Sequence, residues 1–268
     1  MNVLKQKMKF KKRISKFYKK IIFKLKKKIN LDKQILELAS LNELFNYFGT
    51  DKGTEVTNQY QKNPSKTDQK LIGHGYAQFY EKHLNIYKND KINILEIGTW
   101  KGASVAAFYH YFKNAIIFCI DKNFKFQFES NRVNFFNCDT ENFTDIKNLE
   151  KYFIEKKSES FEVIIDDGSH NYTDILNNFQ NFFKRIKPGG FYIIEDFNHY
   201  RLHSSYFNDK PDNAFDISEI FEFLLNKKNF KSEDLDHDFQ NYCFENISNI
   251  TIHKGIKDYS YIAFIKKK

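Results

Sequence analysis

The sequence predicts an α/β fold: a doubly wound, mostly parallel sheet with a C-terminal antiparallel strand pair and an N-terminal helical cap. Three observations carry this. From residue 91, short apolar runs alternate with stretches of helical period, the pattern of repeated strand–helix units. The apolar runs end in glycine or acids, at Gly98, Asp121, Asp139, Asp166-Asp167 and Glu195-Asp196. Two β-rich runs, Ile247–His253 and Tyr259–Ile265, close the chain.

Residues 1–30 read as a basic amphipathic arm. Phe10, Ile14, Phe17, Tyr18, Ile21 and Leu25 recur three and four apart, and Lys11, Lys12, Arg13, Lys16, Lys19 and Lys20 fill much of the other faces. Residues 31–90 read as a helical cap and loop. A helical pattern begins at Leu31–Asp32, carries Ile35, Leu36, Leu38, Leu41, Leu44 and Phe45, and stops at Gly49-Thr50-Asp51-Lys52-Gly53-Thr54. A polar loop over 55–75 and a short helix from Tyr76 to about Tyr87 follow. Residues 91–268 form the main domain. Ile92–Ile97, Ala115–Ile120, Val133–Asn137, Phe161–Ile165 and Phe191–Ile194 are strands. Ala103–Phe112, Ile146–Ile154, Tyr172–Ile186 and Ile217–Leu225 are helices, the third stopped by Lys187-Pro188-Gly189-Gly190. A polar loop spans about 198–213.

The 268 residues carry a formal charge of +9, but residues 1–30 hold 13 Lys+Arg and no acid, so residues 31–268 sum to −4. The basic character belongs to the arm, and the remainder is long enough for one large domain or two small ones. Cys119, Cys138 and Cys243 are too few for a disulfide scaffold, and reduced buried thiols point to a reducing cytoplasm. No stretch approaches the ~20 uncharged apolar residues of a membrane span. The N-terminus has neither the apolar run nor the cleavage site of a secretory signal.

Ile94-Leu95-Glu96-Ile97-Gly98-Thr99-Trp100-Lys101-Gly102 takes a buried strand through a glycine turn into a helix. Gly98 lets backbone approach a ligand, and Gly102 allows a close helix start. It is Gly-x-x-x-Gly, neither a dinucleotide fingerprint nor a phosphate loop. Asp121 closes the second strand, where a carboxylate can accept both hydroxyls of a ribose. Asp139 closes the third, where an acid can meet an adenine amine. Together these strand ends face one nucleoside at the carboxyl edge of the sheet. Each acid alone could be a helix cap.

These features, with the Lys-Pro-Gly-Gly turn before the fifth strand, resemble the class I S-adenosylmethionine-dependent methyltransferases. The resemblance spans roughly residues 90–200 and extends to the end through the closing antiparallel strands. It implies S-adenosylmethionine as cofactor, with Glu96, Gly98, Thr99 and Gly102 at its methionine and ribose side, Asp121 on the ribose, Asp139 near the adenine, and Asp166 beside it.

Asp166-Asp167-Gly168-Ser169-His170 ends the fourth strand and Glu195-Asp196 the fifth. Up to four carboxylates then converge, and unpaired like charges raise one another's pKa. A hard divalent cation resolves the repulsion; oxygen-rich sets suit Mg²⁺ or Mn²⁺, and Fe²⁺ is available in a reducing cell. Solvated acids capping helices are the plainer alternative. With Thr50-Asp51-Lys52-Gly53-Thr54 and His74-x-Tyr76-x-x-x-Tyr80-Glu81 upstream, the set resembles a narrower family: metal-dependent sugar O-methyltransferases of the macrolide-deoxysugar and rhamnosyl type, with cephalosporin-hydroxylase-like relatives. That resemblance implies Asp167, Glu195 and Asp196 as metal ligands, His170 as general base, and the loop carrying Lys52 and Gly53 beside the amino-acid end of the cofactor. The arm and the 55–75 loop fall outside it.

The expected function is methyl transfer from S-adenosylmethionine to a sugar hydroxyl, of a nucleotide-activated heptose or deoxyhexose destined for a capsule or other surface polysaccharide. A sugar hydroxyl and a histidine differ by about 9 pKa units, roughly 12 kcal/mol, so histidine alone cannot deprotonate it. A bound cation narrows that gap. Tyr76 and Tyr80, at helical spacing, read as core; Trp100 reads as packing; His74, His199 and His203 read as loop residues near the mouth; Tyr200 and Arg201 read either as lining a sugar or nucleotide pocket or as ordinary surface loop. The arm reads as a helix for an anionic inner leaflet, with a solvated tail or a nucleic-acid arm as alternatives. The expected location is therefore the cytoplasm, at the inner face of the membrane. The acidic core argues against a nucleic-acid substrate, and a homo-oligomer is compatible with this reading. Competing functions are a phenol or nucleic-acid methyltransferase and a non-catalytic membrane-associated scaffold.

Overall fold

The computed structural model describes residues 14–15, 17–56, 71–201 and 210–268. Phe10, Lys11, Lys12, Arg13, Lys16 and His203, with most of the 55–75 loop and part of the 198–213 loop, lie outside the described residues. Residues 17–25 are helical (α1), and Ile29–Asn30 (β1) leads into a single 3₁₀ turn at Leu31–Lys33. The next helix is Leu41–Phe48 (α2), not a continuous run from residue 31. Its start is chemical: Ser40 and Glu43 form a reciprocal capping box that satisfies the first amides. Residues 34–39 have no regular structure, and Ile35, counted into the apolar pattern, is 94% exposed.

Glu55–Val56 (β2) pairs with Leu71–Ile72 (β3). This short pairing extends into a backbone lacing of 51–54 against 73–76: Gly73 N to Thr54 O at 2.9 Å, His74 N to Asp51 O at 2.6 Å, Gly75 N to Gly53 O at 2.9 Å and Tyr76 N to Lys52 O at 2.8 Å. It fixes Lys52, His74 and Tyr76 side by side at the entrance to Ala77–Leu84 (α3).

Asn93–Ile97 (β4), Ala103–Tyr111 (α4), Ile116–Asp121 (β5), Phe128–Glu129 (β6) and Val133–Asn137 (β7) follow. Phe143–Glu155 (α5) starts earlier than its apolar pattern, because the Asn142 side chain accepts the amides of Thr144 and Asp145. Phe161–Asp166 (β8) leads to Tyr172–Phe182 (α6) and a 3₁₀ turn at Phe183–Arg185. Lys187-Pro188-Gly189-Gly190 does not separate a helix from a strand. It lies inside one ten-residue strand, Ile186–Glu195 (β9), as an irregularity in the pairing with β8: Phe161 pairs Ile186, then Val163 pairs Phe191. Ile217–Leu225 (α7) matches expectation, whereas His237–Asn246 (α8) has no counterpart in the sequence reading. Ile247–Lys254 (β10) and Tyr261–Lys267 (β11) form the closing antiparallel pair.

The seven-stranded sheet has the order β10-β11-β9-β8-β4-β5-β7, with β4, β5, β7, β8 and β9 parallel and β11 antiparallel to both neighbours. Alternate residues of each strand feed two cores. Leu95, Phe118, Ile164 and Tyr192 meet α5, α6, α7 and α8; Ile94, Ile117, Val163 and Ile193 meet α2, α3 and α4. Phe45 of α2 lies 5.4 Å from Phe108 and 6.1 Å from Tyr80, edge to face, so the helices before residue 90 share the core of the sheet. Chain connection reverses direction between β4 and β8. That places a crevice outside the carboxyl ends of these strands, where open α/β sheets bind ligands.

Candidate active site

The crevice holds a cavity of about 290 Å³ running from Thr50 and Asp51 across Gly98, Thr99 and Trp100 to Asp121 and Asp139, and along Asp167 to His170. Its floor is backbone. Gly98 sits at φ +87°, and a Cβ there would stand 2.1 Å from the carbonyl oxygen of Asp167. The glycine thus allows the ends of β4 and β8 to touch, and it also lines the cavity. Gly102, at φ +89°, starts α4 and faces the Phe126 ring instead of the cavity.

Asp121 is pre-aimed: Oδ2 accepts the amide of Trp100 at 2.9 Å, and Oδ1 accepts that of Asn123 at 2.6 Å. Asp139 stands on the cavity wall beyond it. The volume stands at the lower end of small-molecule sites, about 300–1,000 Å³. Lys52, Gly53, Glu96, Gly102 and Asp166, all expected beside the cofactor, are not among the cavity-lining residues. Asp166 instead accepts from Asn178 (3.2 Å) and Tyr192 (3.3 Å), and burial pushes its pKa to about 7. Glu96 is buried and its carboxylate lacks a hydrogen bond of ordinary geometry. Burial pushes its pKa to about 7, against the opposing charge of Lys52.

Lys52 is the centre of the acidic patch. Its ammonium, 1% exposed, lies 2.5 Å from Asp167 Oδ2 and 2.7 Å from Glu195 Oε2. Burial raises the pKa of both acids, most strongly for Glu195, and the ammonium opposes that rise. One monovalent cation thus serves two carboxylates, leaving the pair a net negative charge that a further cation or a proton balances. The Tyr80 hydroxyl donates to Glu195, and the Tyr76 hydroxyl donates to Asp196 Oδ1 at 2.5 Å. His74 Nδ1 stands 3.2 Å from the same oxygen and 2.7 Å from Ser260 Oγ. Against the cost of burial, His74, His170 and His199 hold Asp196 below the ordinary carboxylate range.

The two tyrosines are therefore buried core residues whose hydroxyls orient the strand-end acids. One helical turn separates them, matching Glu195 at the end of β9 and Asp196 immediately after it. That match is the signal their spacing carried. His170 stands on the cavity wall with Nε2 3.7 Å from Asp167 Oδ1. His170 and Asp196 both adopt left-handed backbone, at φ +59° and +52°, a conformation costing about 1–2 kcal/mol per residue. Strain of this kind concentrates at functional sites. Trp100, also left-handed at φ +42°, lines the cavity rather than the core.

The oxygen donors Asp167, Glu195 and Asp196 suit a hard divalent cation in kind, but they do not meet as one ligand set, and the Lys52 ammonium bridges Asp167 and Glu195. Among the described residues, the His, Cys, Asp or Glu set whose ligand atoms all lie within 4.8 Å of one another is His170, Asp196 and His199. His199 Nε2 is 3.5 Å from Asp196 Oδ1. All three cysteines are free and buried. No helix among the described residues is long and apolar enough to cross a membrane.

Residues 95–197 match a family described as a methyltransferase domain. The chain is 28% identical over 130 residues to demethylmacrocin O-methyltransferase of Streptomyces fradiae, covering 46% of this chain and 32% of that protein. It is 29% identical over 133 residues to L-olivosyl-oleandolide 3-O-methyltransferase of Streptomyces antibioticus, covering 46% and 32%. It spans about a third of the length of these curated relatives. Among solved structures it is similar to the MycE methyltransferase of mycinamycin biosynthesis in complex with Mg and SAH: TM-score 0.60 at 20% identity, over 85% of this chain and 54% of that one. That likeness bears on the fold.

Proposed function

We propose that this chain, a class I S-adenosylmethionine-dependent methyltransferase of the sugar O-methyltransferase type, moves a methyl group from S-adenosylmethionine to a sugar hydroxyl with the help of a divalent cation. The observation that carries the reading is the sharing of one cavity by the strand-end acids Asp121 and Asp139 and by Asp167 and His170. The relatives named above are O-methyltransferases of sugar-bearing natural products. MycE was solved with Mg and SAH.

In this reading Asp121 takes the ribose and the Gly98–Trp100 turn the amino-acid end, directing the sulfonium methyl toward His170. His170 accepts the hydroxyl proton as the O–CH₃ bond forms and the S–CH₃ bond breaks. Asp167, Glu195 and Asp196 would hold the cation, which supplies Lewis-acid stabilisation of the developing alkoxide. Lys52, Tyr76 and Tyr80 hold the acids in place and keep their charge compensated.

The substrate we favour is a nucleotide-activated heptose or deoxyhexose for a surface polysaccharide. An arm that binds an anionic membrane would suit that role. Phe17, Tyr18, Ile21, Ile22 and Leu25 of α1 are all exposed, Leu25 at 81%, on the face opposite Phe23. Phe23 packs against Phe124 and Phe135. The helix is thus anchored to the body with its apolar stripe turned outward among lysines. Incubating the full chain with S-adenosylmethionine and a panel of nucleotide sugars, read by mass for the gain of one CH₂, tests the activity. No methylated sugar from the panel would count against it. Flotation with anionic liposomes should require residues 1–30, and equal flotation without them would remove the membrane reading.

A further inference from the structure

We propose that His199 is a nitrogen ligand of the cation held by Asp196, and that it makes the site select a borderline transition ion (Fe²⁺, Co²⁺ or Zn²⁺) over Mg²⁺. The inference rests on the reading above that the site works with a divalent cation, and it names which cation the donors favour. Asp196 and His199 come from one turn: the amide of His199 donates to the carbonyl of Asp196 at 3.0 Å, and a 3₁₀ turn, His199–Arg201, continues it. Both side chains are nearly buried, so the imidazole and the carboxylate are fixed relative to each other before any ion arrives.

Their 3.5 Å separation approaches that of neighbouring ligands on one ion, which are about 3 Å apart when each bond is ~2.1 Å. The described contacts of Asp196 with Tyr76, His74 and His199 all fall on Oδ1. Tyr76 and His74 thereby help to set the carboxylate orientation. The His170 ring stands 5.2 Å from that of His199, edge to face. A ligand nitrogen of His170 also lies within 4.8 Å of ligand atoms of His199 and Asp196, close enough to face an ion held there or an oxygen bound to it.

Elsewhere in the patch the donors are carboxylates, and Lys52 already spends its charge on Asp167 and Glu195. The His199 imidazole, with that of His170 beside it, departs from an all-oxygen set. Imidazole favours Zn²⁺, Fe²⁺ and Co²⁺, whereas Mg²⁺ takes oxygen and water.

The test uses the full chain stripped of metal by chelator, then titrated separately with Co²⁺ and Mg²⁺ by calorimetry and, for Co²⁺, by visible absorption. Wild type should prefer Co²⁺. His199→Ala should weaken Co²⁺ binding about 10- to 100-fold, shift the absorption bands toward an all-oxygen spectrum, and leave Mg²⁺ binding within about twofold. His199→Asp, which restores an oxygen donor, should regain ion binding with the preference moved to Mg²⁺. Unchanged Co²⁺ affinity and spectrum in His199→Ala would overturn the inference. A measurement on wild type alone guards against variants that misfold: the Mn²⁺-loaded protein should show nitrogen coupling in pulsed electron resonance, and its absence would also overturn the assignment. Neither result would touch chelator-sensitive methyl transfer. Failure of every ion to bind wild type would instead count against the metal-assisted function itself.

Discussion

Replacing Lys52 with Met probes the acidic patch most severely. The ammonium lies 2.5 Å from Asp167 and 2.7 Å from Glu195, whose side chains are 21% and 2% exposed. Removing one partner of a buried ion pair costs about 3–5 kcal/mol, because the other charge is left uncompensated. Here Glu195 keeps the Tyr80 hydroxyl and Asp167 keeps some solvent, which points to the lower end, about 3 kcal/mol. At about 2–4 °C per kcal/mol for a chain of this size, the melting temperature should fall by about 6–12 °C. The exposed pair Lys122–Glu141 provides the control: Lys122→Met should cost at most about 1 kcal/mol. Thermal unfolding of wild type and both variants, with and without a divalent cation, is the assay. If the acids bind a cation, the ion should restore much of the loss in Lys52→Met. A loss no larger than that of Lys122→Met, or one indifferent to added cation, would refute the electrostatic account of the patch.

Three further outcomes are expected. His170→Ala should lower turnover about 10²- to 10⁴-fold while S-adenosylhomocysteine still binds, measured by single-turnover assay and calorimetry; equal loss of binding would make His170 structural. Gly98→Ala should impair both stability and cofactor binding, since its Cβ would collide with the Asp167 carbonyl in a left-handed backbone; wild-type melting and affinity would show that the β4 and β8 ends need not touch. The third concerns His83, stacked on Phe264 with Nε2 2.8 Å from His253 Nε2. Burial, then the neighbouring His253, lowers its pKa from 6.5 to about 4. The unfolded chain therefore binds more protons in that window, and stability should fall as pH drops from about 6.5 toward 4. His83→Phe should flatten this acid slope in melting curves, and an unchanged slope would assign it to other groups.

Much of the site was legible because strand ends are punctuated. An apolar run ending in an acid marks the carboxyl edge of a parallel sheet, and this located Asp121, Asp167, Glu195 and Asp196. What escaped depends on contacts far apart in sequence. The resemblance sets Lys52 beside the cofactor, but its burial between Asp167 and Glu195 arises only when the 51–54 and 73–76 segments lace together and lie across the ends of β8 and β9. Tyr76 and Tyr80 read as core because helical spacing reports burial, not what a hydroxyl meets. His199 lay in a polar stretch with no ligand spacing, and only the turn after Asp196 brings it back. Local chemistry also overrode pattern. The Ser40–Glu43 capping box outweighed the apolar repeat from residue 31, Lys187-Pro188-Gly189-Gly190 was absorbed into a strand irregularity, and α8 escaped a reading by apolar period because it is rich in polar residues.

The most direct measurement of metal-assisted sugar methylation is transfer of a labelled methyl group from S-adenosylmethionine to a nucleotide sugar by the full chain, before and after chelation. Transfer should stop on chelation and return when a divalent cation is restored, with His170→Ala inactive throughout. Transfer undiminished by chelator would contradict the cation's role, and methylation of a phenol in preference to every sugar would contradict the substrate class.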